Sequence, residues 1–280
     1  MARAEQARPD LLDARVADLP ALQQWYVQNE RAIFGVLSFV GFFLFWELGA
    51  AVGWIPLFFF SSPTRIVSAA IVEVQNPRLW NDVRVSGTEF LLGYIIAALL
   101  GIPLGIAAGW YRKFNYFMDP WLNFLNSLPR VALLPLIVLW VGIGIESKIL
   151  VVFLGAFITI LMNTLYGIRT VDRRLLEVAA SFSASQMRVF TTVVLPSSVP
   201  FILAGLRLGV GRALIGVIVG ELYAANAGLG YMITVASHTL QVDRMLFGVM
   251  LLTFMGVAGV ELLRPVERRF QQWRPRVGAA

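Results

Sequence analysis

The sequence predicts an all-α membrane protein with six transmembrane helices, and three observations carry that expectation. Hydrophobic residues fill 58% of the 280 positions against 14% charged, and the mean hydropathy is +0.72, too apolar for a water-soluble domain. Apolar stretches recur along the chain, each near the ~20 residues that a helix needs to cross a hydrocarbon core. Basic residues, finally, gather in alternate connecting segments, as they do when successive spans cross a membrane in opposite directions.

Taken in order, residues 1–31 are polar, with Leu11, Leu12, Val16, Leu19 and Leu22 placed to form one short surface helix. Acidic Asp10, Asp13 and Asp18 make this segment unlike a cleavable signal peptide. The first span is expected over Ala32–Ile55, with Glu47 near an end and within reach of the interface. Pro56–Thr88 is mixed and reads as an external loop holding one amphipathic helix over Thr64–Val74. The second span, Glu89–Trp110, carries Ala97, Gly101, Gly105 and Gly109 at a spacing of four. That stripe of small residues lets another backbone approach, so it should face protein and not lipid.

Tyr111–Asn126 reads as a polar turn and Ser127–Gly144 as the third span, with Pro129 and Pro135 inside it. Carbonyls freed by proline need protein or a water-lined cavity, so this span points either toward a solute path or to kinks that serve packing alone. The fourth span is Lys148–Arg169, the fifth Ser198–Leu222, and the sixth Met245–Leu263, after an external segment over Tyr223–Arg244. The expected organisation is therefore a lead-in at 1–31, a membrane domain at 32–263 with a polar gap at 170–197, and a basic tail at 264–280. Six spans put both termini on one side. That side, with the 170–197 gap, holds sixteen Lys and Arg, the opposite side holds five, and Arg207 and Arg212 lie inside the fifth span. The positive-inside rule places the termini and the gap in the cytoplasm.

The gap itself has the pattern of two short helices with a break. Asp172 is an N-cap for a helix through Arg173–Phe182. Ser183, with Gln186 three residues on, forms a capping box for a second helix, with Phe182 placed to staple against Met187. Pro196 and Pro200 should end that second helix before the fifth span. Such a two-helix knuckle is either an ordinary connection between spans or an elbow shaped to enter a groove on a soluble partner.

Glu177-Val178-Ala179, the small Ser183 six residues after the glutamate, and Leu195-Pro196 resemble the cytoplasmic EAA loop of ABC-importer permeases. The likeness extends to Ser62-Pro63, Gly101-Ile102-Pro103-Leu104-Gly105 and Leu128 through Leu136. It continues through Gly142 to Lys148, then Gly205-Leu206-Arg207, Glu221, Gly228-Leu229-Gly230 and Glu267-Arg268-Arg269. In that order these are similar to the permeases that import nitrate, sulfonates, taurine and related small solutes. The resemblance implies a type I ABC importer permease fold with a cytoplasmic coupling loop at 170–197. It implies a second permease copy, as a homodimer, two ABC ATPase subunits and an external solute-binding protein as partners, in a bacterial inner membrane. Glu177, Ala179, Ala180, Ser183 and Ala184 would make the ATPase-coupling contact, and Leu195 and Pro196 would hold the loop against the fifth span. The family usually has Gly where this chain has Ser183, and an elbow that needs positive φ tolerates Ser less well.

Other chemistry is poorly provided for. The chain has no Cys and one His, which excludes thiolate sites and leaves little for a metal centre or a redox group. Its two lysines, Lys113 and Lys148, stand outside any phosphate-binding loop, so ATP and Mg are expected on partner subunits and no cofactor, catalytic group or metal on this one. The net charge of +6 follows the positive-inside pattern and not a nucleic-acid surface. Arg207 and Arg212 are costly at membrane depth, ~2.5–3.5 kcal/mol each on insertion scales, and such residues face a cavity or a partner or snorkel to the interface. Arg207 is the first candidate for the translocation path, with Trp140 and Asn163 behind it. A passive six-span channel or facilitator is the rival reading; it would need no knuckle and would conduct without ATP.

Overall fold

The structure, a computed structural model, describes residues 21–270. The helix expected around Leu11–Leu19 and the end of the basic tail lie outside them. The described residues are helical, joined by short turns, and the chain divides into two compact units at Val67/Ser68.

In the first unit, α1 (Ala21–Val52) is apolar from Ala32 onward and leaves Phe39, Phe42 and Phe45 exposed. A helix that is apolar all round and uncovered is a lipid-facing span. Gly53, at φ 86, ends it where a left-handed residue closes a helix, and Ile55 N–H reaches back to Gly49 O at 3.0 Å. A short helix, α2 (Leu57–Phe60), follows, then α3 (Pro63–Val74). Glu47 accepts from Thr64 N–H at 3.0 Å and from the Thr64 hydroxyl at 2.7 Å, so its carboxylate occupies the first turn of α3, where free N–H groups and the helix dipole favour an anion.

The second unit is built on three long helices: α4 (Pro77–Trp110), α7 (Ile145–Arg169) and α10 (Leu195–Ala224). Asn76 caps α4 through Arg78 N–H at 3.0 Å, with Pro77 in the first turn. The segment expected as loop up to Thr88 is thus largely helix, because Asn-Pro is a strong helix start that its charged neighbours obscure. The small-residue stripe of α4 faces protein as expected: Gly101 lies against Phe157 and Ile160 of α7, and Gly109 against Ile168. On the other side of α7, Gly205 of α10 meets Asn163 and Gly216 meets Val152. Between these two glycine faces Val152, Ala156, Ile160 and Leu161 are fully buried.

Between α4 and α7 the structure corrects the sequence. Arg112–Ser127, expected as a turn, is a helix, α5. Phe114, Met118 and Leu122 recur at a spacing of four and pack on Ala108, Leu161 and Leu165. That stripe outweighs the exposed polar residues Asp119 and Asn123. Leu128, extended before Pro129, breaks the helix. A 3-10 turn (Arg130–Leu133) then leads into α6 (Leu134–Val141), with Pro135 in its first turn. Neither proline interrupts a continuous helix: Pro129 lies in the break and Pro135 in the first turn of α6, where no N–H is missed. α5 and the segment Val131–Val141 meet at 86°.

α8 (Arg173–Ser181) and α9 (Gln186–Val189) form the knuckle, and a π turn (Phe190–Val194) runs on into α10. Pro196 therefore does not end the helix. Leu195 N–H bonds to Phe190 O five residues back, and this wider turn accommodates the proline ring beside the preceding carbonyls. α11 (Leu229–His238) lies within the expected external segment, and α12 (Val242–Phe270) closes the unit. By length and composition, five helices among the described residues can cross a membrane, or six if the bent pair is one span.

Candidate functional site

At the knuckle, Asp172 caps α8 as expected, accepting from Arg174 N–H at 2.9 Å. The cap of α9 is Ser185, which accepts from Arg188 N–H at 3.4 Å, and not Ser183. Ser183 instead sits at φ 51, the left-handed residue of a Schellman turn. Its N–H bonds to Ala180 O at 2.9 Å, and Ala184 N–H bonds to Ala179 O at 3.1 Å. The requirement at position 183 is thus a backbone one, which explains why a small residue stands there and why glycine suits it best. Phe182 and Met187 do not staple; they are 82% and 68% exposed and face outward with Val178 and Leu175. Glu177 is exposed and pairs with Arg173 at 3.3 Å, a surface pair that contributes little to folding. An acidic group ringed by exposed apolar side chains is therefore free to meet a partner.

Ser183→Gly relieves a left-handed β-carbon conformation and should stabilise the purified protein by ~1 kcal/mol, while Ser183→Val should destabilise it by at least as much. Thermal unfolding of the two variants in detergent checks this order, and solute uptake by Ser183→Gly should match the parent.

Behind the knuckle lies a groove of about 520 Å³ lined by Tyr111, Arg112, Lys113, Leu176, Ala180 and Ala184. Trp110 at the end of α4 packs on Phe190 in the π turn, with ring centroids 4.9 Å apart. Leu195 lines the adjoining apolar groove. The knuckle is thus backed by the α4–α5 corner, a contact not anticipated from the sequence.

At the opposite end of the bundle, buried polar groups fasten α11 to the long helices. The Ser86 hydroxyl of α4 donates to Glu221 of α10 and accepts from Leu229 N–H at 2.8 Å. Glu221 also accepts from Gly230 N–H, and Asp82 accepts from Gly228 N–H at 2.9 Å. Gly228 has φ 123, and a β-carbon there would lie 2.3 Å from the Glu221 carboxyl, so both backbone and space demand glycine. Beside this cluster, Lys148 of α7 meets Glu89 of α4 at 3.2 Å.

The residues expected along a path are dispersed. Arg207 pairs with Glu267 of α12. Asn163 donates to Thr159 O at 2.8 Å within α7, and Trp140 is 72% exposed at the end of α6. Arg212, by contrast, lines a cavity of about 310 Å³ between α5, α7 and α10, together with Asn126, Val131, Gly155, Thr159 and Val219.

A family model described as the binding-protein-dependent transport system inner membrane component matches residues 101–272. The taurine transport system permease protein TauC of Escherichia coli is 34% identical over 224 residues, covering 78% of this chain and 82% of that protein. SsuC of Bacillus subtilis, a permease named for aliphatic sulfonates, is 33% identical over 229 residues, 82% of this chain and 83% of its own. Among solved structures, an inward-facing MetNI methionine ABC transporter matches with a TM-score of 0.55 at 19% identity, over 69% of this chain and 99% of that one, and so shares the fold.

Proposed function

Because the chain belongs to the family of binding-protein-dependent transport system inner membrane components, and is a permease subunit of an ABC importer, we propose that it carries a small anionic solute of the sulfonate or taurine type. A binding protein on the outer side would deliver the solute, and two ATPase subunits would drive its passage through a pair of these chains. ATP and Mg belong to those partners; this subunit performs no chemistry on the solute. The termini and the knuckle are assigned to the cytoplasm on the basic-residue asymmetry.

The observation that carries this reading is the knuckle. Two short helices meet at a Schellman turn, project Glu177, Val178 and Phe182 into water, and continue without a break into α10. A force on that elbow is transmitted along a rigid helix to the cavity at Arg212, which is what coupling to an ATPase requires. Glu177, Ala179, Ala180, Ser183 and Ala184 form the docking elbow, with Leu195 and Pro196 at its root. Asn163 on α7 toward the knuckle end and Trp140 at the mouth of α6 would border the way the solute takes, while Arg207, paired with Glu267 of α12, would stand off it. A passive channel would have no use for this arrangement.

Glu177→Lys should leave the protein folded, since the side chain is exposed. A cation in place of an acidic docking contact costs on the order of 2–4 kcal/mol, so uptake should fall about thirtyfold or more. Uptake at the parental rate would remove the docking assignment. The reading as a whole is tested by gentle purification of the tagged chain from its native membrane and mass spectrometry of what accompanies it. An ATPase and a binding protein are expected; a chain that purifies alone and passes solute in ATP-free liposomes is a channel.

A further inference from the structure

The geometry points to Arg212, with Thr159 and Asn126, as the point inside the membrane where a solute oxyanion is held during passage. This assignment rests on the permease reading and specifies the contact within it. Arg207 and Arg212 lie on one helix, five residues apart, hence ~140° around it, and face different neighbours. Arg207 turns to α12 and is neutralised by Glu267. Arg212 stands on the α7 side of α10, among the residues that line the cavity, and has no hydrogen-bond or ion-pair partner among the described residues.

Its depth makes that lack of a partner informative. Arg212 is about 18 Å along α10 from the helix end at Ala224 and about 26 Å from the end at Leu195, well inside the span. A guanidinium at such depth costs ~2.5–3.5 kcal/mol on insertion scales, and snorkelling from the middle of a span recovers little of it. A group with that cost and no internal partner is retained for an anion that comes and goes.

The cavity suits one. Its volume of about 310 Å³ fits a small solute, and no acidic residue lines it among the described residues. Gly155 places α7 directly against the α10 backbone here; a β-carbon on it would lie 2.8 Å from Arg212 O, so the helices touch at the arginine and open beside it. The guanidinium offers paired N–H donors that match two oxygens of a sulfonate. Thr159 and Asn126 line the same cavity; the Thr159 hydroxyl donates only at 3.5 Å to Gly155 O and would turn from it to a solute oxygen, and the Asn126 amide would supply a second neutral donor. One cation with two neutral donors binds an oxyanion weakly enough to release it, as conduction requires.

The test uses the full importer, with its own ATPase and binding protein, in liposomes, and the probes are radiolabelled taurine and methanesulfonate. Arg212→Gln should lower sulfonate uptake at least about tenfold, the worth of a lost charge-assisted hydrogen bond, while binding-protein-stimulated ATP hydrolysis stays near the parental rate. Arg212→Lys should retain a substantial share of uptake, and Thr159→Val should lower it less than Arg212→Gln does. Parental uptake by Arg212→Gln overturns the assignment. So does equal loss of uptake and ATP hydrolysis, which marks a structural or coupling role such as a salt bridge to a second copy. If the unaltered importer moves an uncharged solute and neither sulfonate, the anionic reading itself fails, and the arginine site with it.

Discussion

Lys148→Met is expected to destabilise the protein by ~3–5 kcal/mol, enough to abolish most of the folded yield. Glu89 is fully buried, and Lys148, 9% exposed at its side chain, stands 3.2 Å away. The Glu89 oxygens have no well-aligned hydrogen-bond donor among the described residues, so the ammonium is what compensates them. Removing it leaves two buried acids, Glu89 and Glu221, in contact with each other and with no cation to balance them. Removing both partners is a different matter. Glu89→Leu with Lys148→Met deletes the charge along with its compensation and should recover most of the lost stability, since a buried pair replaced by apolar groups is often neutral. Thermal unfolding of the single and double variants in detergent decides it. Equal stability of Lys148→Met and the parent would show that the pair holds nothing together.

That pair, and the Ser86–Glu221–Gly230 cluster beside it, also mark where sequence reasoning stops. Ser86 and Glu221 are 135 positions apart, and Arg207 meets Glu267 across 60. Nothing in local spacing announces either contact, so the sequence alone does not tell that Arg207 meets Glu267 while Arg212 lines the cavity. Choosing between two arginines on one helix requires knowing which neighbour each faces.

What depends on local chemistry was legible. The glycine stripe of α4 predicted its own burial, Asp172 its own cap, and five of the six apolar runs their own spans, the exception being Ser127–Gly144. The misreadings were local conflicts between two signals. In α5 a stripe of Phe114, Met118 and Leu122 competes with polar neighbours, and burial of the stripe decides for a helix. At the knuckle, two serines stood two residues apart. Ser183 had the spacing of a capping box, but the chain needs it as the left-handed closure of α8, leaving Ser185 to cap α9. A glycine at 183 would have announced that turn; serine hides it.

Gly105→Val should be among the most damaging single substitutions at the packed helix faces of the membrane domain. A β-carbon at 105 would lie 2.7 Å from Leu161 O and 2.7 Å from the Thr164 β-carbon. One of those atoms is backbone in the middle of a buried helix, so the strain cannot be relieved by turning a side chain. α4 and α7 would have to separate along an interface whose α7 residues, Ile160, Leu161 and Thr164, are completely buried. Overpacking a tight core costs ~1–3 kcal/mol where neighbours can yield, and more is expected here because they cannot. The control lies on the same helix. A β-carbon at Gly87 would meet nothing within 4 Å, so Gly87→Ala should be neutral or stabilise by up to ~1 kcal/mol through improved helix propensity. Measured together by unfolding in detergent, the two variants separate a cost of space from a cost of backbone freedom. If Gly105→Val were tolerated as well as Gly87→Ala, the close approach of α4 to α7, and with it the frame that holds Arg212 and the buried acid cluster in place, would be wrong.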